Sequence, residues 1–370
     1  MRARGQKHTM AHGVIQVGTG GQGENWCRTF LEPHVAAGRV EPVAAVDVDE
    51  DAHENAVDGL GLPPERCYTD VEGAFAAHPE ADFCTVVVPP WIHEDVVDAA
   101  LEHGLDILSE KPIADTLEAS VRIAEKVERA GAKMGVTMSH RFDRDKTTLR
   151  REIRASRNGP LDYLVGRFTC DLREYGEWGA FRHDMDDPLL VDGAVHQLDF
   201  LADMAGETCE TVYADTWKPE WAEYDGDCQA LVQMRMRNGV RISWEGAKAN
   251  AVGLNNWGQD YVRAECRDAT LVLDDRELAR HAHQEEPARW GRGDDDPEEL
   301  ALAEREHWSN TWLVGQFCEW LDGGEPMATN VRANLQSVAL VAAAVESSET
   351  GEPVRVQERL REAEADVDLK

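Results

Sequence analysis

Residues 14–23 read VIQVGTGGQG, a short apolar run that leads directly into a turn containing spaced glycines. The run predicts a buried parallel strand, and residues 24–35, after the turn, have the pattern of a helix. Gly18 permits the tight turn, Gly20 lets a pyrophosphate approach the backbone, and Gly23 lets the helix pack close to the strand. Unpaired N–H groups at the start of the helix favour phosphate. The stretch therefore predicts a dinucleotide-binding loop formed by Gly18, Gly20, Gly21, Gln22 and Gly23.

A second apolar run, residues 43–46, ends in Asp47 and completes the pattern. A carboxylate at this strand end can accept hydrogen bonds from the hydroxyl groups of an adenosine ribose. The 2′-phosphate of NADP would bring like charge beside it, and residues 48–51 add acids but no arginine. The sequence therefore predicts NAD as the cofactor and NADP as the less favoured one. The alternative, a glycine turn with a purely structural purpose, does not explain the strand, helix and acid around it.

The alternation of strand and helix patterns continues to about residue 144. Apolar runs at 83–88, 106–109 and 134–138 alternate with helical patterns, which predicts a doubly wound parallel sheet. Ligands of such sheets bind at the carboxyl ends of the strands. Five residues at these strand ends are predicted to contact the cofactor: Pro89, Pro90, His93, Glu110 and Lys111.

The pattern changes near Asp145, after which strands dominate. Alternating runs between residues 163 and 273 predict an open, largely antiparallel sheet, with a helix at 193–204. The acid-rich stretch 284–306 is predicted to be a solvated loop. The predicted fold class is α/β, with two domains and a tail: a Rossmann dinucleotide-binding domain (11–144), a substrate-binding and oligomerisation domain (145–356) and a charged C-terminal tail (357–370).

The chain has a formal net charge of −33, from 71 acidic and 38 basic residues. Because the acids are spread along the whole chain and lysine is scarce, the composition predicts a halophilic protein, whose self-repulsion is screened by salt. The alternative is an acidic protein of ordinary salt concentrations. The negative charge argues against nucleic acid as a partner.

Other features of the composition narrow the class of protein further. No apolar run approaches the length of a membrane span. The 8 cysteines are scattered without CxxC pairs, a pattern typical of reduced thiols in the cytoplasm. His281 and His283 lie close together but without a nearby cysteine or spaced acid, so no metal site is predicted.

Lys111 is the first candidate for the chemistry, since it follows a buried strand and precedes a proline. At such a strand end its ammonium would point into the cofactor crevice. There it could hydrogen-bond a substrate hydroxyl and stabilise negative charge that develops on oxygen. The alternative is a surface lysine at the start of a loop.

The second candidate is the stretch DGAVHQLD, in which Asp192, His196 and Asp199 follow a helical spacing. An imidazole one turn after an acid can serve as a general base beside an orienting carboxylate. The alternative is that Asp192 caps the helix and His196 is a packed core histidine.

Taken together, these motifs resemble the glucose–fructose oxidoreductase and inositol dehydrogenase family (Gfo/Idh/MocA). The resemblance extends from about residue 14 to residue 354 and is weakest at 284–306. The matching residues are the Gly18 turn, Pro89, Pro90, His93, Glu110-Lys111-Pro112, Arg141-Phe142, Asp192, Gly193, His196, Asp199 and the closing helix at 331–354.

The resemblance implies a Rossmann domain followed by an open-sheet domain, which often forms homodimers or homotetramers through the sheet. It also implies that Lys111, Asp192 and His196 act on a hydroxyl of a sugar, sugar acid or cyclitol. His196 would remove the hydroxyl proton, Lys111 would hydrogen-bond the same oxygen, and Asp192 would hold His196 or a neighbouring hydroxyl.

Further substrate contacts are predicted at Arg141, Trp178 and Trp257. The two tryptophans lie in loop-like stretches, where an indole ring could stack on the apolar face of a sugar. The alternative for either tryptophan is packing in the core or in a subunit interface.

Two other functional classes are compatible with the same residues. One is a glycoside hydrolase that uses NAD for a transient oxidation. The other is a non-catalytic, dinucleotide-binding regulator, although the presence of Lys111, Asp192 and His196 together argues against it.

Overall fold

The computed structural model of the protein describes residues 11–177, 179–284 and 296–367. The chain forms two compact units. The first unit contains the residues up to Met138 together with Asn310–Leu335, and the second contains Ser139–Ser309 together with Gln336–Asp366.

The first unit is built on a parallel sheet whose six strands are β1 (His12–Val17), β2 (Val40–Val46), β3 (Cys67–Tyr68), β4 (Phe83–Val86), β5 (Asp106–Ser109) and β6 (Met134–Val136). Their order is β3-β2-β1-β4-β5-β6. The strand order reverses at β1, so the carboxyl ends of β1 and β4 border the crevice in which such sheets bind ligands. This part of the predicted fold class is confirmed.

The second unit contains a nine-stranded mixed sheet formed by β7 (Leu161–Thr169), β8 (Cys209–Trp217), β9 (Gln229–Met236), β10 (Arg241–Ala247), β11 (Tyr261–Cys266), β12 (Ala269–Asp274), β13 (Glu277–Ala282), β14 (Glu298–Glu299) and β15 (Val354–Arg355). The order is β14-β13-β12-β11-β7-β10-β9-β8-β15. The pair β7–β10 is parallel, and the neighbouring pairs β7–β11 and β9–β10 are antiparallel. Burial alternates along β9, so one face of the sheet is buried and the other is exposed. The prediction of a largely antiparallel, open sheet is therefore confirmed.

The α-helices of the described residues are α1 (Gln22–Asn25), α2 (Glu32–Ala36), α3 (His53–Leu60), α4 (Val71–Ala77), α5 (His93–Glu102), α6 (Leu117–Ala130), α7 (Arg144–Ile153), α8 (Val195–Ala205), α9 (Ser309–Leu321), α10 (Val331–Thr350) and α11 (Val356–Asp366). The helix predicted at 193–204 corresponds mainly to α8, and the closing helix predicted from residue 331 corresponds to α10. In the part of the chain that the structure describes, no helix is long and apolar enough to span a membrane.

Two predicted α-helices are interrupted by π-helical turns, which widen the backbone by one residue. The predicted helix 24–35 contains a π-turn at Trp26–Phe30, where the N–H of Leu31 donates to the carbonyl of Trp26 at 3.1 Å. The predicted helix 193–204 begins as a π-helix at Pro188–Ala194 and continues as α8. We refer to residues 188–205 as the π–α segment.

The C-terminal tail and the acid-rich stretch differ from their predictions. The tail that was predicted to be merely charged contains α11, which buries Leu360 and Ala363. Within the predicted loop 284–306, residues 298–299 pair with β13, while residues 285–295 lie outside the described part of the chain.

The packing places residues 310–335 in the first unit, although the predicted domain boundaries assign them to the second. The ring of Phe317 packs on Phe83 of β4 at a centroid distance of 5.3 Å. The N–H of Val136 in β6 donates to the carbonyl of Thr329 at 2.9 Å. After β14 the chain thus returns to cover the parallel sheet before it adds β15 to the second sheet, an exchange that no local sequence pattern predicts. Residues 139–144 were predicted to belong to the first domain, but the structure places them in the second unit.

Candidate active site

The glycine loop after β1 is shaped by two close backbone approaches. Gly18 has φ +87°, and a Cβ atom there would lie 2.0 Å from the carbonyl oxygen of Val87. A Cβ atom on Gly23 would lie 2.2 Å from the carbonyl oxygen of Gly18. Both positions therefore require glycine, while a Cβ on Gly21 would meet nothing within 4 Å, which leaves open space at the start of α1. This cradle fits a dinucleotide pyrophosphate.

Asp47, at the end of β2, holds this loop through its carboxylate. The oxygen Oδ2 accepts hydrogen bonds from the N–H groups of Thr19 at 2.7 Å and Gly20 at 2.9 Å. The oxygen Oδ1 accepts the N–H of Asp49 at 3.0 Å. Burial by itself would raise the pKa of Asp47, but these backbone hydrogen bonds outweigh it and hold the pKa below its ordinary value.

The observed role of Asp47 is thus wider than the sequence predicted. Sequence analysis assigned its carboxylate to a ribose, whereas in the structure it already fixes the backbone of Thr19 and Gly20. A carboxylate offers about four acceptor positions, so Oδ1 retains capacity for a ribose hydroxyl. No local pattern reveals such an internal bond, because donor and acceptor are 28 residues apart.

The segment after β4 carries Pro89, Pro90 and, at the first position of α5, His93. The two prolines lie in the turn that leads into α5. The ring of His93 is fully buried, with Nε2 at 2.9 Å from the carbonyl oxygen of Val88 and Nδ1 at 3.1 Å from that of Ile113. Burial lowers the pKa of His93 despite these two carbonyl groups. The ring therefore connects two strand-end loops, and its predicted contact with the cofactor stays a prediction.

Glu110 and Lys111 follow β5 directly. The carboxylate of Glu110 accepts a hydrogen bond from the indole Nε1 of Trp26 at 2.8 Å, and one from the N–H of Lys111 at 3.2 Å. Glu110 thus ties this loop to the π-turn after the glycine loop, and Trp26 is a contributor that sequence analysis missed. Lys111 itself is half-buried.

In the second unit, His196 lies in the first turn of α8 and is buried. Its ring stacks on the ring of His140, with a centroid distance of 4.1 Å and an interplanar angle of 11°. The indole of Trp257 meets both rings edge-on, and Phe168 of β7 packs against the same indole. The structure thus brings Trp257 and His196 together, as expected for one site. It adds the stacking of His140 on His196, a contact that no pattern in the sequence predicts.

Asp192 occupies the π-helical part of the π–α segment. Its carboxylate lies 2.8 Å from Nε of Arg182 and 3.5 Å from Nζ of Lys248. Lys248 is buried, and its ammonium also donates to the carbonyl of Pro188 at 2.8 Å. Because the backbone changes from π to α geometry after position 194, Asp192 and His196 are not one regular α-turn apart. The prediction of one regular α-helix through these residues is therefore wrong, while their shared role in one site stays a prediction.

Asp199, the third residue of the predicted face, is bound by other partners. Its carboxylate accepts a hydrogen bond from Nε of Arg141 at 2.9 Å, a second one from the same guanidinium, and one from the hydroxyl of Ser337. Burial opposes the charge on Arg141, but Asp199 outweighs it and holds the pKa of Arg141 above its ordinary value. Arg141, predicted to bind substrate, is therefore engaged in a buried ion pair, because the fully buried Asp199 needs a cation.

Trp178, the other predicted aromatic contact, lies outside the described residues. Three residues near the predicted ones were missed: Trp26, Arg182 and Lys248. Among these only Lys248 carried a usable signal, as a rare lysine at the end of a strand in a lysine-poor chain.

Comparisons with known proteins agree with these observations. Residues 13–138 match the family model of an oxidoreductase with an NAD-binding Rossmann fold, and residues 163–356 match the C-terminal alpha/beta domain of the same family. The uncharacterized protein y4oX of Sinorhizobium fredii is 50% identical over 95% of this chain and 98% of its own length. The inositol 2-dehydrogenase of Corynebacterium glutamicum is 30% identical, but the match covers only 54% of this chain and 57% of that enzyme.

Among solved structures, an oxidoreductase from Agrobacterium radiobacter in complex with NAD+, L-tartaric acid and magnesium has a TM-score of 0.77 and 19% identity. The match covers 95% of this chain and 99% of that one, and it concerns the fold. The two family models together cover most of this chain, and the predicted family resemblance is confirmed. The chain belongs to the Gfo/Idh/MocA oxidoreductase family, with its NAD-binding Rossmann fold and C-terminal α/β domain.

Proposed function

We propose that the protein is an NAD-dependent dehydrogenase that oxidises a secondary hydroxyl of a sugar, sugar acid or cyclitol to a ketone or lactone. The observation that carries the proposal is the combination of two sites in one chain. One is a loop that only glycine fits at Gly18 and Gly23, and the other is a buried imidazole, His196, beside an indole. A regulator that only binds a dinucleotide would need the first site and not the second.

The cofactor would be held by the glycine loop, by Asp47 and by the loops that contain Pro89 and Glu110. Backbone N–H groups at the start of α1 would receive the pyrophosphate, and Oδ1 of Asp47 would accept a ribose hydroxyl. When bound, the nicotinamide of the cofactor accepts a hydride from the substrate carbon.

The side chains of the protein would handle the proton and the developing charge. His196, in its neutral form, would take the proton of the substrate hydroxyl as a general base. Lys111 would donate a hydrogen bond to the same oxygen and stabilise its negative charge. Asp192, whose charge is balanced by Arg182 and Lys248, would accept a hydrogen bond from a neighbouring hydroxyl.

Chemistry and relatives both support a polyol as the substrate class. A hydroxyl group both donates and accepts hydrogen bonds, so a polyol site needs groups of both kinds. The indole of Trp257 offers an apolar surface on which one face of a sugar ring can pack. The relatives include inositol 2-dehydrogenases, and one solved neighbour contains L-tartaric acid, a hydroxy acid.

The open face of the second sheet supports assembly into homodimers or homotetramers. Tyr213, Trp217 and Leu231 are 38%, 41% and 50% exposed on strands β8 and β9. Large apolar side chains at exposed sheet positions are typical of a face that another subunit covers. Sedimentation equilibrium of the full chain measures the assembly directly.

The decisive experiment is a screen of sugars, sugar acids and cyclitols with NAD, read by the absorbance of NADH. With the best substrate, His196→Ala and Lys111→Ala should each lower kcat/KM by about 10²–10⁴, the range that general acid–base groups supply. NAD binding should survive the His196 change.

The matched control is His78→Ala, which removes another buried histidine, hydrogen-bonded to Tyr68 and Glu80 in the first unit. It should alter stability more than turnover. Near wild-type turnover in His196→Ala would refute the assigned base. NAD binding without NADH formation on any polyol would favour the regulator, and release of a free sugar from an aryl glycoside would favour the hydrolase.

A further inference from the structure

Two histidine rings stack face to face in the second unit. His140 and His196 are 6% and 4% exposed, and their ring centroids are 4.1 Å apart. Trp257 closes the pair edge-on, at 4.9 Å from His140 and 5.6 Å from His196. At this distance the two imidazoles cannot titrate independently, because a proton on one ring places positive charge against the other.

Acidic groups gather on the His140 side of the pair. Lys146 is fully buried and lies 2.9 Å from Asp260, 3.4 Å from Asp143 and 3.5 Å from Asp145. One ammonium therefore faces three carboxyl groups. Burial raises the pKa of Asp143 to about 6, so that this group is still mostly ionised at pH 7. The cluster still carries more negative than positive charge.

Asp260 links this cluster electrostatically to His140. Complete burial would raise the pKa of Asp260, but Lys146, the ring of His140 and the amide of Gln197 together lower it. The amide of Gln197 donates to Asp260 at 2.9 Å and belongs to the residue next to His196 on α8. The carboxylate is thus placed to favour a positive charge on His140.

The charges on the His196 side are balanced differently. Asp199, one turn later on α8, is bound by Arg141. Asp192, in the preceding π-helical turn, has two cationic neighbours, Arg182 and Lys248. Both acids on this segment thus already face cations, whereas Asp260 faces His140.

We infer that His140 is a positioning residue for the reaction: its ring carries the single proton of the stacked pair and keeps His196 in the neutral form that can accept a proton from the substrate. The role of His196 as base rests on the proposed function. When His196 takes the hydroxyl proton, the pair briefly carries two charges. The proton then leaves His196 for solvent, and the pair returns to one charge on His140.

The experiment compares pH profiles of kcat/KM for the wild type and His140→Phe. Phenylalanine keeps a ring stacked on His196 but cannot hold a proton, so His196 would protonate more readily. The acid limb should move to higher pH by about one unit, a tenfold change in proton affinity, while the plateau at high pH remains. Phe168→Leu is the control, since it disturbs the ring cluster around Trp257 without changing a charge, and its acid limb should stay in place.

A second measurement is independent of turnover. The full chain labelled with ¹³C at the histidine ring is titrated by NMR, and the His196 signal is identified by its absence in His196→Asn. A higher His196 titration midpoint in His140→Phe supports the inference, and an unchanged midpoint overturns it whether or not a substrate is known. A raised midpoint without dehydrogenase activity would keep the coupling and reject the proposed function. If His140 served only as packing, kcat/KM would fall at every pH without movement of the acid limb.

Discussion

The glycine loop of the first unit and the π–α segment of the second hold their acidic side chains in opposite ways. Asp47 is satisfied by backbone N–H groups, those of Thr19 and Gly20. Asp199 is satisfied by a guanidinium, that of Arg141, in a fully buried ion pair. Backbone donors belong to the loop that they shape, whereas the cation comes from a different element of the fold.

This difference determines what a single change in each region affects. Removing a buried cation leaves an uncompensated charge in the interior, which destabilises the whole unit. Removing an acceptor at a half-buried loop leaves backbone groups that water can partly satisfy, so the effect is local and falls on the ligand. We therefore expect the second region to control stability and the first to control the choice of cofactor.

The largest effect is expected from Arg141→Ala. The change leaves the carboxylate of Asp199, which is 1% exposed, without its cationic partner. It should therefore lower the free energy of unfolding by about 3–5 kcal/mol. Urea unfolding of the two proteins measures the difference. The control is Arg154→Ala, whose exposed side chain lies 3.7 Å from Asp203 and should contribute less than about 1 kcal/mol. If Arg141→Ala instead raised KM at unchanged stability, the result would support the predicted substrate contact of Arg141.

A smaller effect is expected on the choice of cofactor. Two like charges at about 4 Å and an effective dielectric near 20 repel by roughly 4 kcal/mol, and molar salt reduces this for exposed groups. The wild type should therefore prefer NAD over NADP by about tenfold or more in kcat/KM. Asp47→Ser combined with Val48→Arg should reverse the preference, since Val48 is 87% exposed and an arginine there can reach a phosphate.

The structure adds a control to this experiment. Asp47→Ser also removes the acceptor for Thr19 and Gly20, so the double variant should bind both cofactors more weakly. Val48→Arg alone keeps the loop intact and isolates the added charge. A wild type that prefers NADP would contradict the role assigned to Asp47 and leave the glycine loop unaffected.

The smallest effect is expected from salt, because the contribution of each charged residue to stability is small and the charges are distributed over the whole surface. With a net charge of −33, exposed acids repel over a Debye length of about 30 Å at 0.01 M and about 3 Å at 1 M. The Tm should rise by several degrees between dilute and molar KCl. The loss of stability in Arg141→Ala should persist at molar KCl, because the Arg141–Asp199 ion pair is buried. A melting curve that is flat in salt would count against the halophilic prediction.

Most of the first unit could be predicted from the sequence because its signals are local. The strand Asp106–Ser109 has the predicted bounds, and the helix Leu117–Ala130 lies between two predicted strands, where the alternation requires a helix. An apolar run or an amphipathic period determines which face of an element is buried, whatever its neighbours are. The π-turns were not predicted, because a helix with one inserted residue has nearly the same hydrophobic pattern as a regular helix.

The candidate site shows the same difference between features that local sequence patterns predict and features that they do not. Its residues were predicted at Gly18, Asp47, Lys111 and His196, because turns, strand ends and helical spacing leave marks in the sequence. The contacts between side chains were not predicted, since His140 approaches His196 only through the packing of α8 against the turn before α7. A ring contact of this kind leaves no periodic pattern in the sequence.

The sequence by itself determined the parallel sheet, the glycine loop and the order of the two sheets, because each depends on contacts near in the chain or on a repeating pattern. Only the tertiary structure decided which groups neutralise the acids of the π–α segment. Arg141 is 58 residues from Asp199, and Lys248 is 56 residues from Asp192. Charge pairing at such separations depends on which elements the folded core brings together. A buried carboxylate needs a nearby cation, and the fold determines which cation that is.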